Sequence, residues 1–317
     1  MMDSTDILIT GASGFIGKQL CKHLQRSGLD VRAYVRASTV LPDSNGLEIV
    51  HGAINDSKAL TAAMEGVSSV IHLAGIAHVD GIRHETMEQV NVGGTEAVLA
   101  AARQAGVAQI VYVSSALAQA AERRESTATD YGRSKWQAEQ RVRECRELAH
   151  CILRPVNVYG PGMRGNLGKF ISLIGQHRMP PLPPSTARMS LVSVNDVCLA
   201  IERSLDEEQY RGKTWLLSDG IEYAMSAMEE AIYVVWGRSK PSWYVPRVLL
   251  YCAALAGELG NQIVPGYSGP GLRSYRNLFR DSLFDSENNL SKIDLQSTTS
   301  FFQELPAIVD HIKSHQQ

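Results

Sequence analysis

The chain has 317 residues, 44% hydrophobic and 20% charged, which excludes a disordered chain and predicts two lobes or one large α/β domain. Lysine and arginine total 31 against 33 acids, so there is no basic surplus to neutralise a phosphate backbone, and nucleic acid is not an expected partner. The five cysteines (Cys21, Cys145, Cys151, Cys198 and Cys252) include no C-x-x-C pair and read as reduced thiols of a cytoplasmic protein.

The first residues lack a basic region followed by a long apolar run, so no secretory signal is read there. Short apolar runs at Asp6–Thr10, Val31–Val35, Leu47–His51, Val70–Leu73, Ile110–Ser114 and Cys151–Leu153 predict strands. Between them Ile16, Leu20 and Leu24 repeat every four residues, Leu60 and Met64 do the same, and Val98 to Ala105 continues a longer helix. Strands apolar on both faces, alternating with helices, predict an α/β fold: a doubly wound parallel sheet, Rossmann-like, with its ligand crevice at the carboxyl ends of the strands.

After Pro155 the alternation is interrupted by Tyr159-Gly160-Pro161-Gly162 and by Met179-Pro180-Pro181-Leu182-Pro183-Pro184. Asn195–Leu205 and Trp215–Ser218 read as one more helix and strand of the sheet. Helices near Met225–Trp236, Arg247–Leu259 and Phe301–Lys313 read as a smaller C-terminal substrate lobe. The expected division is 1–160 with about 190–220 for the sheet, and 161–189 with 221–317 for the lobe. The longest apolar stretch, Val245–Gly257, contains Pro246 and Arg247 and is too short to span a bilayer. It reads as a helix covering a substrate pocket, with a peripheral surface contact as the alternative.

Two motifs carry chemistry. Thr10-Gly11-Ala12-Ser13-Gly14-Phe15-Ile16-Gly17 falls between the first strand and the first helix. Glycines at 11, 14 and 17 permit a tight turn, close approach of backbone to a pyrophosphate, and close helix–strand packing; the helix N-terminus behind them favours an anion. Gly11, Ser13, Gly14, Phe15, Ile16 and Gly17 are therefore candidate dinucleotide contacts, the alternative being a plain glycine-rich turn. Tyr131 and Lys135 stand four apart, on one face of a helix. A free tyrosine titrates near 10, and a neighbouring ammonium would lower it towards use as an acid–base group; the alternative is a solvated tyrosine and lysine.

The order of motifs adds to this. After the glycines come His72-Leu73-Ala74-Gly75, Asn91-Val92-Gly93-Gly94-Thr95, Tyr112-Val113-Ser114-Ser115, the Tyr131/Lys135 pair, and Arg154-Pro155-Val156-Asn157-Val158-Tyr159-Gly160-Pro161. This succession resembles the extended short-chain dehydrogenase/reductases, the family of UDP-glucose 4-epimerase and related nucleotide-sugar enzymes. The resemblance implies that Tyr131 is the catalytic acid–base and that Lys135 is its partner and a ligand of the nicotinamide ribose. It further implies that Ser115 holds the reacting oxygen of the substrate and that Asn91 orders a water beside the lysine, a helix hydrogen bond being the alternative for Asn91. Ile54, Leu73, Ala74, Gly75 and Pro155 are implied cofactor contacts. Asn157 and Arg188 match positions that hold a nucleotide diphosphate in sugar-modifying relatives. Relatives often form homodimers, through helices equivalent to those near 93–106 and 131–146.

Departures refine the reading. The second strand ends Tyr34-Val35-Arg36, where NAD users of this fold place an acid for the ribose 2′-hydroxyl. Val35 cannot serve, and Arg36 could meet a 2′-phosphate, so the cofactor is NADP or NAD, with NADP favoured. Ala116-Leu117 follow Ser115, where 4,6-dehydratases use Asp-Glu, which disfavours dehydration. The expected activity is reduction or epimerisation at C4 of a UDP-sugar for surface polysaccharide, the branch that includes UDP-4-keto-6-deoxy-N-acetylhexosamine 4-reductases. The alternatives are a dehydrogenase of a bulky lipid or sterol-like alcohol, with Val245–Leu259 lining its pocket, and a non-catalytic dinucleotide sensor. No metal site is expected: there is no H-E-x-x-H, and His78 and His84 have no matching cysteines.

Overall fold

The computed structural model describes residues 7–39, 41, 46–77, 83–206, 208–263, 269, 271–284 and 299–315. In chain order the first elements are β1 (Ile7–Thr10), α1 (Phe15–Arg26), β2 (Val31–Val35), β3 (Glu48–His51), α2 (Ser57–Ala63), β4 (Ser69–His72) and α3 (His84–Glu88). A π-helical turn at Gln89–Gly93 leads into α4 (Gly94–Ala105), β5 (Gln109–Val113), α5 (Ala118–Glu122), α6 (Asp130–Glu144) and β6 (Ala149–Pro155). Then follow β7 (Asn157–Tyr159), α7 (Asn166–Gly175), β8 (Arg188–Ser193), α8 (Val194–Asp206), β9 (Thr214–Leu217) and β10 (Glu222–Ala224). The last elements are α9 (Met225–Val235), α10 (Arg247–Ile263), α11 (Leu272–Phe279) and α12 (Phe301–Ser314).

Helix starts follow side-chain chemistry. Asp56 accepts the Ala59 N–H at 3.1 Å ahead of α2, and Thr129 accepts the Gly132 N–H at 3.0 Å ahead of α6. Each satisfies a donor that has no partner inside its own helix.

The chain divides into two compact units. The described residues of 7–156 and 194–217 form the first, around a seven-stranded sheet of order β3-β2-β1-β4-β5-β6-β9. Every neighbouring pair is parallel, as the doubly apolar runs predict. Leu60, Met64, Val98, Ala102, Ala138 and Val142 of α2, α4 and α6, or immediately beyond them, share one buried cluster on the sheet. Helices α1 and α8 pack together, joined by a 2.6 Å bond between His23 and Glu202. Strand order reverses between β1 and β4, which is where a fold of this topology opens its ligand crevice.

The second unit comprises the described residues of 157–193, 218–284 and 299–315. Its three-stranded sheet has the order β10-β8-β7, with β8 parallel to β7 and antiparallel to β10. Helices α7, α9 and α12 cover a core of Tyr159, Phe170, Leu191, Met228, Ile232 and Phe301. The division thus falls at 156/157 rather than 160, and the second unit keeps residues up to 193. The reason is that β7 pairs with β8 in a sheet of its own. The expected pocket-covering helix is α10; Leu250 packs on the core of its unit and Ala254 is buried, but Val248, Leu249, Leu255, Leu259 and Ile263 are exposed.

Candidate active site

The turn after β1 and the segment after β4 meet at the strand-order reversal. Gly11 has φ +74°, and a Cβ there would lie 2.7 Å from the Ala74 nitrogen and 2.9 Å from its Cα, so only glycine fits against the Leu73–Ala74 backbone. A Cβ on Gly17 would come within 2.7 Å of the Ala12 Cα, so this glycine lets α1 pack on its own turn. Gly14 differs: it is exposed, extended at φ −73°, and a Cβ there meets only the Gly11 carbonyl, at 3.2 Å. It precedes α1 with no side-chain cap and no acid in the first turn. The N–H groups of Phe15, Ile16 and Gly17 open the helix beside it. That chemistry fits an anionic group such as a pyrophosphate.

Beneath this cradle runs a buried hydrogen-bond chain. The Ala74 N–H donates to Thr10 Oγ1 at 3.3 Å, and Thr10 Oγ1 lies 2.7 Å from His72 Nδ1. His72 Nε2 lies 3.0 Å from Thr95 Oγ1, which donates to the Asn91 carbonyl at 2.6 Å. The Thr95 proton is committed to that carbonyl, so Nε2 carries the imidazole proton and Nδ1 accepts from Thr10. Burial, with the Lys135 charge adding to it, pushes His72 down to about 3, so the ring is neutral and structural.

Asn91 sits in the π-helical turn, a local widening that often marks functional sites. Its Oδ1 accepts from the Ile76 N–H at 2.7 Å, and its Nδ2 donates to the Ile76 carbonyl at 3.1 Å and to Ser134 Oγ at 2.9 Å. Both amide protons are spent. The carboxamide therefore pins the segment just beyond Gly75 to α6 rather than presenting a donor to a water.

The end of β5 and the first turns of α6 hold the remaining candidates. The Ser115 hydroxyl hydrogen-bonds the Tyr131 phenol, and its oxygen also accepts the Leu117 N–H at 3.3 Å. Ser114, its neighbour, is buried and donates instead to Glu139, so the two serines have separate partners. Lys135 is buried; its Nζ donates to the Val113 carbonyl at 2.8 Å and lies 4.2 Å from the centre of the Tyr112 ring. Desolvation pushes the ammonium down to about 7, opposed by the Glu139 charge.

The net shift of the Tyr131 phenol is upward, where a neighbouring Lys135 is expected to lower it. Burial pushes Tyr131 up to about 12, the Ser115 hydrogen bond only partly opposing it. The ammonium is turned to the Val113 carbonyl and the Tyr112 face instead.

Sequence reasoning passed over Glu139. It is fully buried, accepts from Arg154 Nε at 2.9 Å and Nη2 at 2.6 Å, and from Arg143 Nη2 at 2.9 Å. Arg154 also pairs with Glu122. The available signal was the four-residue ladder Tyr131, Lys135, Glu139, Arg143 along one face of α6.

Val35 is buried and Arg36, just past the end of β2, is exposed. Ile54 packs against Gly94 at the start of α4. The Pro155 carbonyl accepts the Ala116 N–H at 2.9 Å, next to Ser115. Asn157 and Arg188 belong to the second unit, both exposed; the Arg188 guanidinium is held by Glu222 at 2.6 Å. His78 lies outside the described residues, and among those described no three metal-ligating side chains cluster.

A parallel sheet with a glycine cradle at its strand reversal and a serine–tyrosine–lysine group on the adjoining strand and helix defines a dinucleotide-dependent α/β enzyme class. Residues 7–217 match the NAD dependent epimerase/dehydratase family, and the chain belongs to it. A UDP-glucose 4-epimerase of Vibrio cholerae is 29% identical over 80% of this chain and 81% of its own. A ceramide reductase of Caulobacter vibrioides is 35% identical over 60% of this chain; the match spans 57% of that relative. Among solved structures, the Bordetella bronchiseptica enzyme WbmG, determined with NAD and UDP, superposes with a TM-score of 0.73 at 21% identity, covering 98% of this chain and 95% of that one.

Proposed function

We propose that the protein is an NADPH-dependent reductase acting on C4 of a keto-sugar nucleotide, with NADH use or C4 epimerisation as the related reading. One observation carries the direction: β2 ends in buried Val35 and exposed Arg36, with no acid for a ribose 2′-hydroxyl and a cation able to meet a 2′-phosphate. An epimerase recycles one held NAD and gains nothing from such a preference, whereas a reductase draws on a fresh reduced cofactor each turn.

In this reading Gly11, Ser13, Gly14, Phe15, Ile16 and Gly17 hold the pyrophosphate. Ile54, Leu73, Ala74, Gly75 and Pro155 line the rest of the cofactor, with Lys135 on the nicotinamide ribose. The bound dinucleotide supplies the hydride. The chain supplies the proton: Ser115 orients the carbonyl oxygen and Tyr131 gives it the phenol hydrogen. A phenol pushed up to about 12 keeps its proton at neutral pH, as a donor must. Asn91 is a positioning residue, joining the segment beyond Gly75 to the helix that carries Tyr131. Asn157 and Arg188, on the second unit, would hold the nucleotide diphosphate, for which a guanidinium fork is suited.

The Vibrio relative is named for UDP-glucose epimerisation and the neighbour WbmG was solved with UDP, which supports a nucleotide-sugar substrate. The Caulobacter relative, named for ceramide, favours a bulky lipid ketone as the second reading. The test is to purify the protein, assay it for bound NAD, and compare NADPH with NADH consumption on UDP-4-keto-6-deoxy sugars and on ceramide-like ketones. Net NADPH consumption on the sugar supports the proposal. Stoichiometric bound NAD without net consumption overturns it in favour of epimerisation. Arg36→Asp is the control, weakening NADPH much more than NADH if Arg36 meets the 2′-phosphate.

A further inference from the structure

Helix α10 is built the wrong way round for a water-facing helix. A surface helix normally turns its large apolar side chains inward and its charges outward. Here the inward positions are mostly small: Ala254 and Gly257 are buried, and Leu250 is the large side chain that packs on the core. The outward positions are large: Val248, Leu249, Cys252, Leu255, Leu259 and Ile263 are all exposed, Val248 at 70% and Ile263 at 73%. At 100° per residue these six fall within roughly a third of the helix circumference. After Arg247 the helix contains a single charged residue, Glu258, and that carboxylate is turned to the Leu272 N–H of α11 at 3.2 Å. Among the described residues the exposed stripe is therefore continuous. Trp243 and Tyr244, exposed at 60% and 51%, stand just before the helix.

The sequence around this stripe is basic. Residues 238–281 contain Arg238, Lys240, Arg247, Arg273, Arg276 and Arg280 against Glu258 and Asp281, in a chain whose formal charge is −2. Lys240 is engaged by Glu229, but Arg247, Arg276 and Arg280 are exposed. An apolar helix face with amphipathic aromatics at one end and arginines around it fits the boundary of an anionic bilayer, where apolar burial and attraction to lipid phosphate act together. A second copy of the chain fits poorly, because a two-fold contact through this face would set basic residues against basic residues. A helix of this length, about 25 Å at 1.5 Å per residue, can lie along the interface; no described helix is long and apolar enough to cross a membrane.

We infer that the protein docks peripherally on anionic membrane surfaces through the exposed apolar face of α10. The probe is flotation of the full-length protein with vesicles of phosphatidylcholine alone and of equimolar phosphatidylcholine and phosphatidylglycerol, at low and high salt. Docking predicts recovery with the anionic vesicles, little with the neutral ones, and several-fold loss at high salt, since screening shortens electrostatic reach to a few ångströms. Leu255→Asp with Leu259→Asp should lower the bound fraction at least about tenfold, from the lost burial of two leucines. An unchanged thermal unfolding midpoint and unchanged dinucleotide binding would show that the variant is folded. If the variant does not fold, the lipid and salt dependence of the parent protein decides alone. No recovery of the parent with anionic vesicles overturns the inference. So does a concentration-dependent dimer abolished by the same substitutions, which would make a second copy the occupant of the face.

Discussion

Acid should destabilise this protein through His72, and the size of the effect follows from where the ring sits. Its two nitrogens are used by Thr10 and Thr95, and the buried ring is held down to about 3 from an ordinary 6.5. The unfolded chain therefore binds a proton below about 6.5 that the folded chain refuses until about 3. A depressed histidine pKa makes protons favour unfolding, so stability is lost as pH falls through this window. Each pH unit well inside it removes about 1.4 kcal/mol, which integrates to about 2.5 kcal/mol between pH 6 and pH 4. That is a large share of the 5–15 kcal/mol typical of a folded domain. Lys135, held at about 7, is protonated in both states over the same range and contributes no slope there. Urea unfolding of the parent and of His72→Gln at pH 6, 5 and 4 isolates the effect, because every other titratable group is common to both proteins. The parent should lose about 2.5 kcal/mol more than the variant across the series. Parallel losses would refute the argument and mean that the ring is already protonated in the fold.

Three further outcomes follow from the site and its supports. Gly14→Val should weaken dinucleotide binding at least about tenfold with little change in melting temperature, whereas Gly17→Val should cost about 2 kcal/mol or more of stability, because its Cβ meets the backbone of Ala12; fluorescence titration and thermal melts separate the two. Glu139→Ala leaves the buried Arg154 guanidinium with Glu122 as its remaining carboxylate and should cost about 2–3 kcal/mol in chemical denaturation, with part of that loss recovered when Arg154→Met is added.

The sheet was legible because its inner strands are buried on both faces, so apolar runs such as Ile110–Ser114 stand out without any pattern of alternation. The Tyr131/Lys135 pair and the glycine turn were legible as spacings, and α6 and α1 present them at the ends of adjoining elements. Strands β7 and β8 and helix α7 were harder to read, because three-residue pairing and a Gly-Pro-rich approach leave no periodicity to detect. Glu139 read as one more charge on a polar helix; only tertiary packing brings Ser114, Arg143 and Arg154 around it. The upward shift of Tyr131 has the same origin. Spacing places an ammonium four residues away, but desolvation depends on what else surrounds the phenol.

The most direct test of the proposed mechanism is turnover of Tyr131→Phe with NADPH and a UDP-4-keto-6-deoxy sugar, measured beside NADPH affinity. Losing a positioned proton donor should lower kcat at least about 10²-fold. The Kd for NADPH should stay as in the parent, since the phenol is asked to serve the substrate oxygen and not to hold the dinucleotide. Turnover comparable to the parent would contradict the account and remove Tyr131 from the chemistry.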